Sequence, residues 1–206
     1  MRKEGNTAEP TRRRILDAAY ALLYERGFHR VALDAIALRA GVTKRTLYYH
    51  FRSKDDLIAA ALEVHAELAL ARIRKWGVTM PPELGPAIEA LFEGVSRWVR
   101  GRRFEGTGFT RVVMELADLP GHPARAVAKR HKANVEAWLA DELERRGAAD
   151  PKQSARQVQL LLEGAIALIL IHGDATYVGI AAEAAKQIVR TEQEATSACD
   201  PASRAS

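Results

Sequence analysis

Apolar residues recur every three to four positions along most of this 206-residue chain, and that helical period constrains the fold more than any other feature. Leu33, Ile36, Ala37 and Ala40 illustrate it, because they follow one another at i, i+3, i+4 and i+7. Glycine or proline interrupts the pattern at intervals, and no segment between two interruptions alternates apolar and polar residues as a strand would. The sequence therefore predicts an all-α fold with about nine helices.

The interruptions and capping residues indicate where the predicted helices begin and end. Gly27 is a favourable end for the first helix, since glycine adopts the left-handed conformation that closes many helices. Thr43 and Ser53 are suited to cap the helices that follow them. The predicted helices run from about 11 to 26, and then over 33–40, 43–51, 54–76, 84–100, 105–117, 122–146, 151–172 and 175–192.

Positive charge is concentrated at the start of the chain. Residues 1–54 contain 12 Lys or Arg and 5 Asp or Glu, a net charge of +7. Residues 55–206 contain 19 and 21, a net charge of −2, so the chain's +5 arises from its first quarter. Such a charge run is by itself as consistent with a solvated surface as with a nucleic-acid partner. The other residues in this segment decide between a solvated surface and a nucleic-acid-binding surface.

Two short predicted helices meet at Gly41, where glycine permits the sharp turn of a helix-turn-helix. Leu47 is an inward position of the second helix, whose outward side carries hydrogen-bonding groups. These are Thr43, Lys44, Arg45, Thr46, Tyr48, Tyr49 and His50. We expect Arg45 to bond guanine in the major groove, and we expect the end of the helix and Lys54 to contact phosphate oxygens.

The stretch GVTKRTLYYHFRSKDDL, residues 41–57, resembles the signature of the TetR family of bacterial transcription regulators. Residues 15–40 are similar to that family's first two helices, and residues 115–139 resemble one version of its regulatory domain. The resemblance implies a helix-turn-helix DNA-binding domain of three helices at 11–54, followed by a helical ligand-binding and dimerisation domain at 55–192. We expect a disordered arm at 1–10 and a flexible tail at 193–206.

The start of the second helix departs from the family pattern. The family has Ser or Thr there, whose hydroxyl caps the helix and often holds a phosphate. This chain has Val31, Ala32 and Leu33, and the nearest polar residue is Asp34. Loss of a hydroxyl cap typically costs about 0.5–2 kcal/mol. We therefore assign no phosphate contact to this region and no base contact to Asp34.

The helix predicted over 151–172 is apolar nearly all round, so it must be covered on every side. One side would pack within its own domain and the other against a partner subunit; the alternative is the central helix of a monomeric bundle. The last helix has small residues that permit close packing. From these two helices we predict a homodimer interface that contains Leu168, Ile169, Ala181, Ala184, Ala185 and Ile188. Two DNA-binding domains, or heads, related by a two-fold axis read a palindromic operator in double-stranded DNA.

The resemblance also implies a small-molecule pocket in the second domain. Its predicted wall consists of large side chains on the middle helices: Trp98, Phe109, Val113, Trp138, Leu162 and Ile166. Glu163 and His172 are polar residues on or beside an apolar helix, where they would orient a ligand group. The competing interpretation is plain core for the apolar residues, and solvated or internally bonded side chains for the two polar ones. An aromatic wall favours a hydrophobic or planar effector.

Other classes of protein find little support. The six histidines lack metal-ligand spacing, and no nucleophile motif or phosphate-binding glycine loop occurs, so we expect no enzyme, no metal and no cofactor. The single cysteine, Cys199, provides no disulfide. The apolar run 158–171 is too short to span a membrane, and residues 1–30 lack a secretory signal. We therefore expect a cytoplasmic protein with no membrane partner.

Two functions remain. The sequence favours a ligand-responsive DNA-binding regulator, most simply a repressor that a small molecule releases from its operator. The alternative is an all-α protein that binds a hydrophobic ligand or a protein partner without specific DNA binding. The polar outward side of residues 43–50 favours the regulator.

Overall fold

The computed structural model describes residues 5–27, 30–101 and 108–199, and within them the backbone forms helices and no strand. The helices are α1 Gly5–Arg26, α2 Leu33–Ala40, α3 Lys44–His50, α4 Lys54–Thr79, α5 Leu84–Val99, α6 Gly108–Glu115, α7 Pro123–Glu144, α8 Pro151–His172 and α9 Tyr177–Cys199. The prediction of an all-α fold with nine helices is confirmed for this part of the chain.

Local signals set several of the observed helix ends. α1 ends where Gly27 adopts a φ of 83°, and α8 ends where Gly173 adopts a φ of 68°. At the other end of α8, the Asp150 carboxylate accepts a hydrogen bond from the backbone N–H of Gln153 at 3.0 Å, and Pro151 occupies the first turn. The predicted bounds of 151–172 are confirmed.

The two terminal helices are longer than predicted. α1 begins at Gly5, so residues 5–10 of the predicted disordered arm are helical and Pro10 lies inside the helix. Pro10 is the sixth residue of the helix, past the first four positions whose N–H groups lack intrahelical partners, so α1 lacks one backbone hydrogen bond there. α9 continues through residues 193–199 of the predicted tail, where Glu, Gln and Ala favour a helix. Residues 1–4 and 200–206 lie outside the described part of the chain.

α4 continues past its predicted end at Trp76, because Gly77 is buried inside the helix instead of ending it. A Cβ atom at Gly77 would lie 3.0 Å from both Glu142 Oε1 and Trp138 Cζ2, so glycine permits the close approach of α7. α6 and α7 are slightly shorter than the predicted 105–117 and 122–146. Residues 105–107 of the predicted helix lie outside the described residues.

The helices form two compact units, and each has its own apolar core. The first unit comprises residues 1–69 and 107–131, as far as the structure describes them. Its fully buried side chains include Ile15 of α1, Ile36 of α2, Leu47 of α3, Leu57 of α4 and Val112 of α6. The helix-turn-helix therefore shares its interior with α6 and with the first part of α4.

The second unit comprises residues 70–106 and 132–206, again within the described residues. α9 packs against both α5 and α8 in this unit. Buried side chains come from four helices and include Ile88, Phe92, Leu139, Val158 and Ala185. This unit is a helical bundle with an aliphatic and aromatic interior.

The units do not divide at the predicted boundary between residues 54 and 55. Leu57 and Leu62 of α4 are buried in the core of the first unit, as are Phe109 and Val112 of α6. A head of about 40 residues has too little interior to bury its apolar faces alone. The added helices supply that interior, and α4 and α7 each contribute residues to both units.

α8 is the one helix in the described residues whose length and composition would suffice to cross a membrane. Its most apolar 18-residue window has a mean hydropathy of 1.4 and is 33% buried within the chain. One such helix is weak evidence of a membrane span, because helices inside water-soluble bundles have the same composition. Val158 and Ile169 of α8 are buried in the core of the second unit, which accounts for one of its apolar sides.

Candidate nucleic-acid interface

The turn between α2 and α3 has the geometry that the sequence predicted. Gly41 lies in the left-handed region, with φ 65° and ψ 39°, and ends α2. The backbone N–H of Val42 donates to the carbonyl of Ala37 at 3.0 Å and closes the turn. Ile36 and Leu47 are fully buried on either side of it. A small core therefore holds the two helices in a defined arrangement.

Thr43 caps α3, as predicted. Its Oγ1 accepts a hydrogen bond from the backbone N–H of Thr46 at 3.1 Å and lies 2.8 Å from Oγ1 of the same residue. Only one hydroxyl hydrogen is used between these two oxygens, so the other remains for an outside acceptor. The first turn of α3 thus combines a stable helix end with an outward hydrogen-bond donor.

The outer face of α3 is polar and accessible. Leu47 is fully buried, whereas Tyr48 is 50% exposed and Tyr49 is 81% exposed. Arg45 is also exposed, and no described residue pairs with its guanidinium. His50 is half-buried, with its ring edge-on to that of Tyr49 at 5.1 Å between centres. This face presents donors, acceptors and aromatic surface to solvent.

The two predicted lysine contacts are held differently. Lys44 Nζ lies 3.0 Å from Asp34 Oδ1 and 3.2 Å from Oδ2. The hydrogen bond to the Asp34 carboxylate raises the pKa of Lys44. Lys54 is half-buried as the first residue of α4. The structure therefore brings the predicted contacts together on α3, its N-cap and the start of α4, and Lys44 has an anionic partner in Asp34.

Sequence reasoning missed the positions of two residues beside this face, Arg12 and Asp34. The guanidinium carbon of Arg12 in α1 lies 5.4 Å from the centre of the Phe51 ring, at the residue directly after α3. No spacing rule joins residues 12 and 51, because their contact is tertiary. Asp34 was assigned no contact, and its partnership with Lys44 links residues ten apart across the turn. The only available signal was the opposite charge of these two first-turn residues.

The N-terminus of α2 lacks a side-chain cap, in agreement with the departure noted in the sequence. Ala32 occupies the N-cap position with φ −85° and ψ 149°, and no side chain bonds the free N–H groups there. A hydroxyl oxygen at this position would therefore supply the missing hydrogen-bond acceptor and stabilise the start of α2.

Ala32→Ser is expected to stabilise the protein by about 0.5–2 kcal/mol, because a serine oxygen at this position accepts a hydrogen bond from the first turn. Ala32 is exposed, so the oxygen meets no packing obstacle. Urea unfolding followed by circular dichroism measures the gain. Ala32→Val is the control, since it adds volume without an acceptor, and an equal gain from valine would contradict the capping explanation.

The predicted wall of the ligand pocket does not lie in one unit. Phe109 and Val113 pack in the core of the first unit, and Phe109 stacks on His131 with ring centres 3.9 Å apart. The other four belong to the second unit, where they are buried or partly buried: Trp98, Trp138, Leu162 and Ile166. These contacts agree with the plain-core interpretation, and a ligand role for these residues stays a prediction.

The two polar candidates for ligand contact have partners within the second unit. Glu163 forms an ion pair with Lys132, and both side chains are partly buried. His172 is exposed at the end of α8, where its ring stacks on that of Tyr177 at 5.6 Å between centres. Glu163 is therefore internally bonded and His172 is solvated, as the competing interpretation expected.

Three of the six predicted dimer residues are buried within the single subunit. Ile169, Ala181 and Ala185 are at most 6% exposed, so little of their surface is available to a partner. Leu168 is 37% exposed, and Ala184 and Ile188 are half-buried. Successive residues of a helix lie about 100° apart around its axis, and here Leu168 is exposed while Ile169 is buried.

α8 and α9 nevertheless carry an exposed apolar face. Leu160 and Ile171 of α8 are 74% and 70% exposed, and Ile180 of α9 is 64% exposed. With Leu168 and Leu170, which is 51% exposed, they place five large aliphatic side chains of α8 and α9 in water. Isolated apolar residues on a surface are ordinary, but several on two packed helices indicate a covered surface. We call these five residues the α8–α9 face.

A surface groove of about 440 Å³ lies in the second unit between the end of α4 and α7. Trp138 lines it together with polar and charged residues: Arg74, Asn134, Asp141, Glu142 and Arg145. Glu142 is buried, and its two oxygens each lie 2.6 Å from a guanidinium nitrogen of Arg145 or Arg146. Of the eight predicted ligand residues, Trp138 alone lines this groove, which is more polar than the predicted pocket.

His122 has a structural role in the first unit. Its Nδ1 accepts a hydrogen bond from the backbone N–H of Ala124 at 3.1 Å, and its Nε2 lies 3.2 Å from Asp55 Oδ1. The buried ring thereby joins the start of α7 to the first turn of α4. Within the described ranges, no group of three or more His, Cys, Asp or Glu side chains is arranged to hold a metal ion.

Comparison with known proteins identifies relatives of the helix-turn-helix region. Residues 15–61 match a family described as "Bacterial regulatory proteins, tetR family". The transcriptional regulator UidR of Escherichia coli K12 is 46% identical over 68 residues, which are 33% of this chain and 35% of the relative. The transcriptional activator FasR of Mycolicibacterium smegmatis is 35% identical over 106 residues, 49% and 48% of the two chains. The match thus spans between one third and one half of these relatives.

Solved structures extend the likeness over most of the chain. A chain assigned to the TetR transcriptional regulators, from Streptomyces avermitilis, is 34% identical with a TM-score of 0.71, and the match covers 85% of this chain and 97% of that one. A TetR-family regulator from Streptomyces coelicolor is 28% identical with a TM-score of 0.73, covering 88% and 96%. The reduced form of Escherichia coli NemR is 24% identical with a TM-score of 0.76, and the match covers 87% of this chain and 97% of that one. At this identity the likeness shows the fold alone.

Proposed function

The chain belongs to the TetR family of bacterial regulatory proteins, and from that membership we propose that it is a ligand-responsive repressor. As a homodimer in the cytoplasm it binds a palindromic operator, and a small-molecule effector releases it. Its family consists of regulators and not of enzymes. The observation that carries the proposal is the outer face of α3, where Leu47 is fully buried while Arg45, Tyr48 and Tyr49 are exposed.

In this proposal α3 enters the major groove with its first turn toward the bases. Arg45 donates two hydrogen bonds to guanine O6 and N7, since its guanidinium is exposed and free of partners among the described residues. Thr46 and Tyr48 contact a thymine methyl group or a phosphate. Phosphate contacts come from the end of α3 and the start of α4, namely Tyr49, His50 and Lys54. The spare hydroxyl hydrogen at the N-cap of α3 supports a further contact of this kind.

Arg45→Ala is expected to cost about 1–3 kcal/mol of operator binding and to relax the preference at a single base position, because a bidentate contact is lost. Competition binding with a set of single-base operator variants measures both effects. Arg97→Ala is the control, since Arg97 is an exposed arginine of α5 in the second unit. A uniform loss across all sequences would instead make Arg45 a phosphate contact.

The proposed dimer follows from the α8–α9 face and from the demands of recognition. One helix-turn-helix makes too few base contacts to select a site in a genome. Two heads related by a two-fold axis read half-sites about 34–36 Å apart. The five exposed aliphatic side chains of the α8–α9 face support these helices as the contact between subunits.

The proposed effector acts through the second unit and α4. α4 is one continuous helix from Lys54 to Thr79, so a shift of its last turns reaches the residues that follow α3. A ligand changes operator affinity only by its difference in affinity for the two states. Trp138 supports a planar effector, and the charged residues around its groove favour one that also carries polar groups.

A gel-shift assay with genomic fragments, including the region upstream of the protein's own gene, tests the proposal at several salt concentrations. Specific binding that falls steeply as salt rises supports it, since phosphate neutralisation releases counterions. The absence of specific binding to any fragment favours the alternative, an all-α ligand-binding or partner-binding protein. In a transcription assay, stimulation by the unliganded protein would overturn the repressor assignment.

The effector part of the proposal has a separate test. Operator affinity is measured with and without each compound that binds the protein in a thermal-shift screen. Release from the operator at saturating compound supports the coupling. A compound that binds the protein and leaves operator affinity unchanged shows that its site is not coupled to α3.

A further inference from the structure

A carboxylate lies on the face of the first unit that meets DNA in the proposed function. Asp34 is in the first turn of α2, and its side chain is 70% exposed. Lys44, the first residue of α3, places Nζ 3.0 Å from Asp34 Oδ1 and 3.2 Å from Oδ2. In a helix-turn-helix the second helix meets the bases with its first turn, and the first helix crosses the phosphate backbone. The ion pair therefore joins the two elements that face the duplex.

An unpaired carboxylate at this position would oppose binding, since a duplex carries a negative charge about every 1.7 Å along its axis. Lys44 cancels the charge of Asp34 as long as the two remain in contact. The reverse also holds, because Lys44 cannot neutralise a phosphate without leaving Asp34 unpaired beside the DNA. The start of α2 offers no compensating hydroxyl donor, since its N-cap is Ala32.

We propose that Asp34 restrains Lys44, so that the pair meets DNA as a neutral unit and Lys44 makes no net phosphate contact. This inference rests on the proposed function and removes Lys44 from the eight DNA contacts predicted from the sequence. Arg45, the neighbouring cation, has no acidic partner among the described residues, so its charge is available to interact with the DNA. Asp34 thus lowers affinity for DNA of any sequence and leaves base recognition by Arg45 intact.

The salt dependence of non-specific binding tests the inference, because each neutralised phosphate steepens the slope of log K against log salt by about 0.9. The full-length wild-type protein, Asp34→Asn and the double variant Asp34→Asn/Lys44→Gln are titrated with a random-sequence duplex between roughly 50 and 200 mM salt. Asp34→Asn is expected to steepen the slope by about 0.9, equivalent to about threefold more affinity lost over this range. The double variant is expected to return to the wild-type slope, since its pair is neutral again.

Two controls separate the pairing from general effects of charge and folding. Asp34→Glu keeps the carboxylate and is expected to keep the wild-type slope. Glu93→Gln makes the same change in net charge at an exposed residue of α5 in the second unit, and it is expected to leave the slope unchanged.

Other outcomes overturn the inference. A double variant with a slope about 0.9 flatter than that of the wild-type protein would show that Lys44 contacts a phosphate directly. An unchanged slope for Asp34→Asn would show that Lys44 is not restrained. In both cases the wild-type protein still binds DNA and the proposed function stands. If the wild-type protein shows no salt-dependent DNA binding, the proposed function itself fails, and the inference fails with it.

Discussion

Leu168→Glu is expected to convert the proposed dimer into a monomer and to weaken specific operator binding by about 10²–10⁴-fold. The loss is that large because the second head of a dimer binds at the high effective concentration set by the first. Leu168 is 37% exposed and belongs to the α8–α9 face, so the substitution places a charge in the predicted contact without disturbing the subunit's own core. A carboxylate buried without a partner in an apolar interface is strongly unfavourable.

Sedimentation and gel-shift titrations measure the two effects of Leu168→Glu. Val78→Glu is the matched control, since Val78 is an exposed aliphatic residue of α4 outside the α8–α9 face. Ile169→Glu does not serve the purpose, because Ile169 is 6% exposed and its replacement is expected to unfold the second unit. A Leu168→Glu protein that sediments as a dimer would show that the subunits meet elsewhere.

Glu142→Ala is expected to lower the free energy of unfolding by about 3–5 kcal/mol, because it breaks a buried ion pair and leaves one charge behind. The side chains of Glu142 and Arg146 are 5% and 9% exposed, and their charged atoms lie 2.6 Å apart. Arg146 also donates to the carbonyl of Pro81 at 2.8 Å, so the pair holds the segment between α4 and α5 against α7. Backbone carbonyls do not neutralise the remaining guanidinium.

Urea unfolding measures the loss of stability in Glu142→Ala, and an exposed ion pair serves as the control. Glu93 and Arg97 form an i, i+4 pair at 3.8 Å with side chains 65% and 71% exposed, so Glu93→Ala is expected to change stability by at most about 1 kcal/mol. The double variant Glu142→Ala/Arg146→Met is expected to recover part of the loss, because it removes both charges. Equal small losses for Glu142→Ala and Glu93→Ala would contradict the buried-pair explanation.

The helix-turn-helix was predictable from the sequence because its signals are local. Gly41 ends α2 and Thr43 caps α3 through hydrogen bonds that span three to five residues. Ser53 caps α4 in the same way, accepting a hydrogen bond from the backbone N–H of Asp56 at 3.0 Å. Interactions of this length are visible in any short window of sequence. The outward-facing polar residues of α3 follow from the helical period, because Leu47 is recognisable as the inward position.

The surfaces of the second unit were less predictable. α8 is apolar nearly all round, so its period does not distinguish Ile169, which is buried, from Leu168, which is exposed. Only the positions of α5 and α9 make that distinction. Size and burial likewise do not assign a large side chain to a unit: Phe109 and Trp138 are both large and buried, but they lie in the cores of different units.

The sequence by itself determined the helical class, the position of the turn at Gly41 and the polar outward side of α3, since periodicity and capping act within a few residues. The tertiary structure decided which apolar side chains are interior, where the two units divide and which charges pair. Lys44 with Asp34, and Glu142 with Arg145 and Arg146, illustrate the difference. Each charged residue could be listed from the sequence. Whether its charge meets solvent, DNA or a partner in the chain depends on distances that only packing sets.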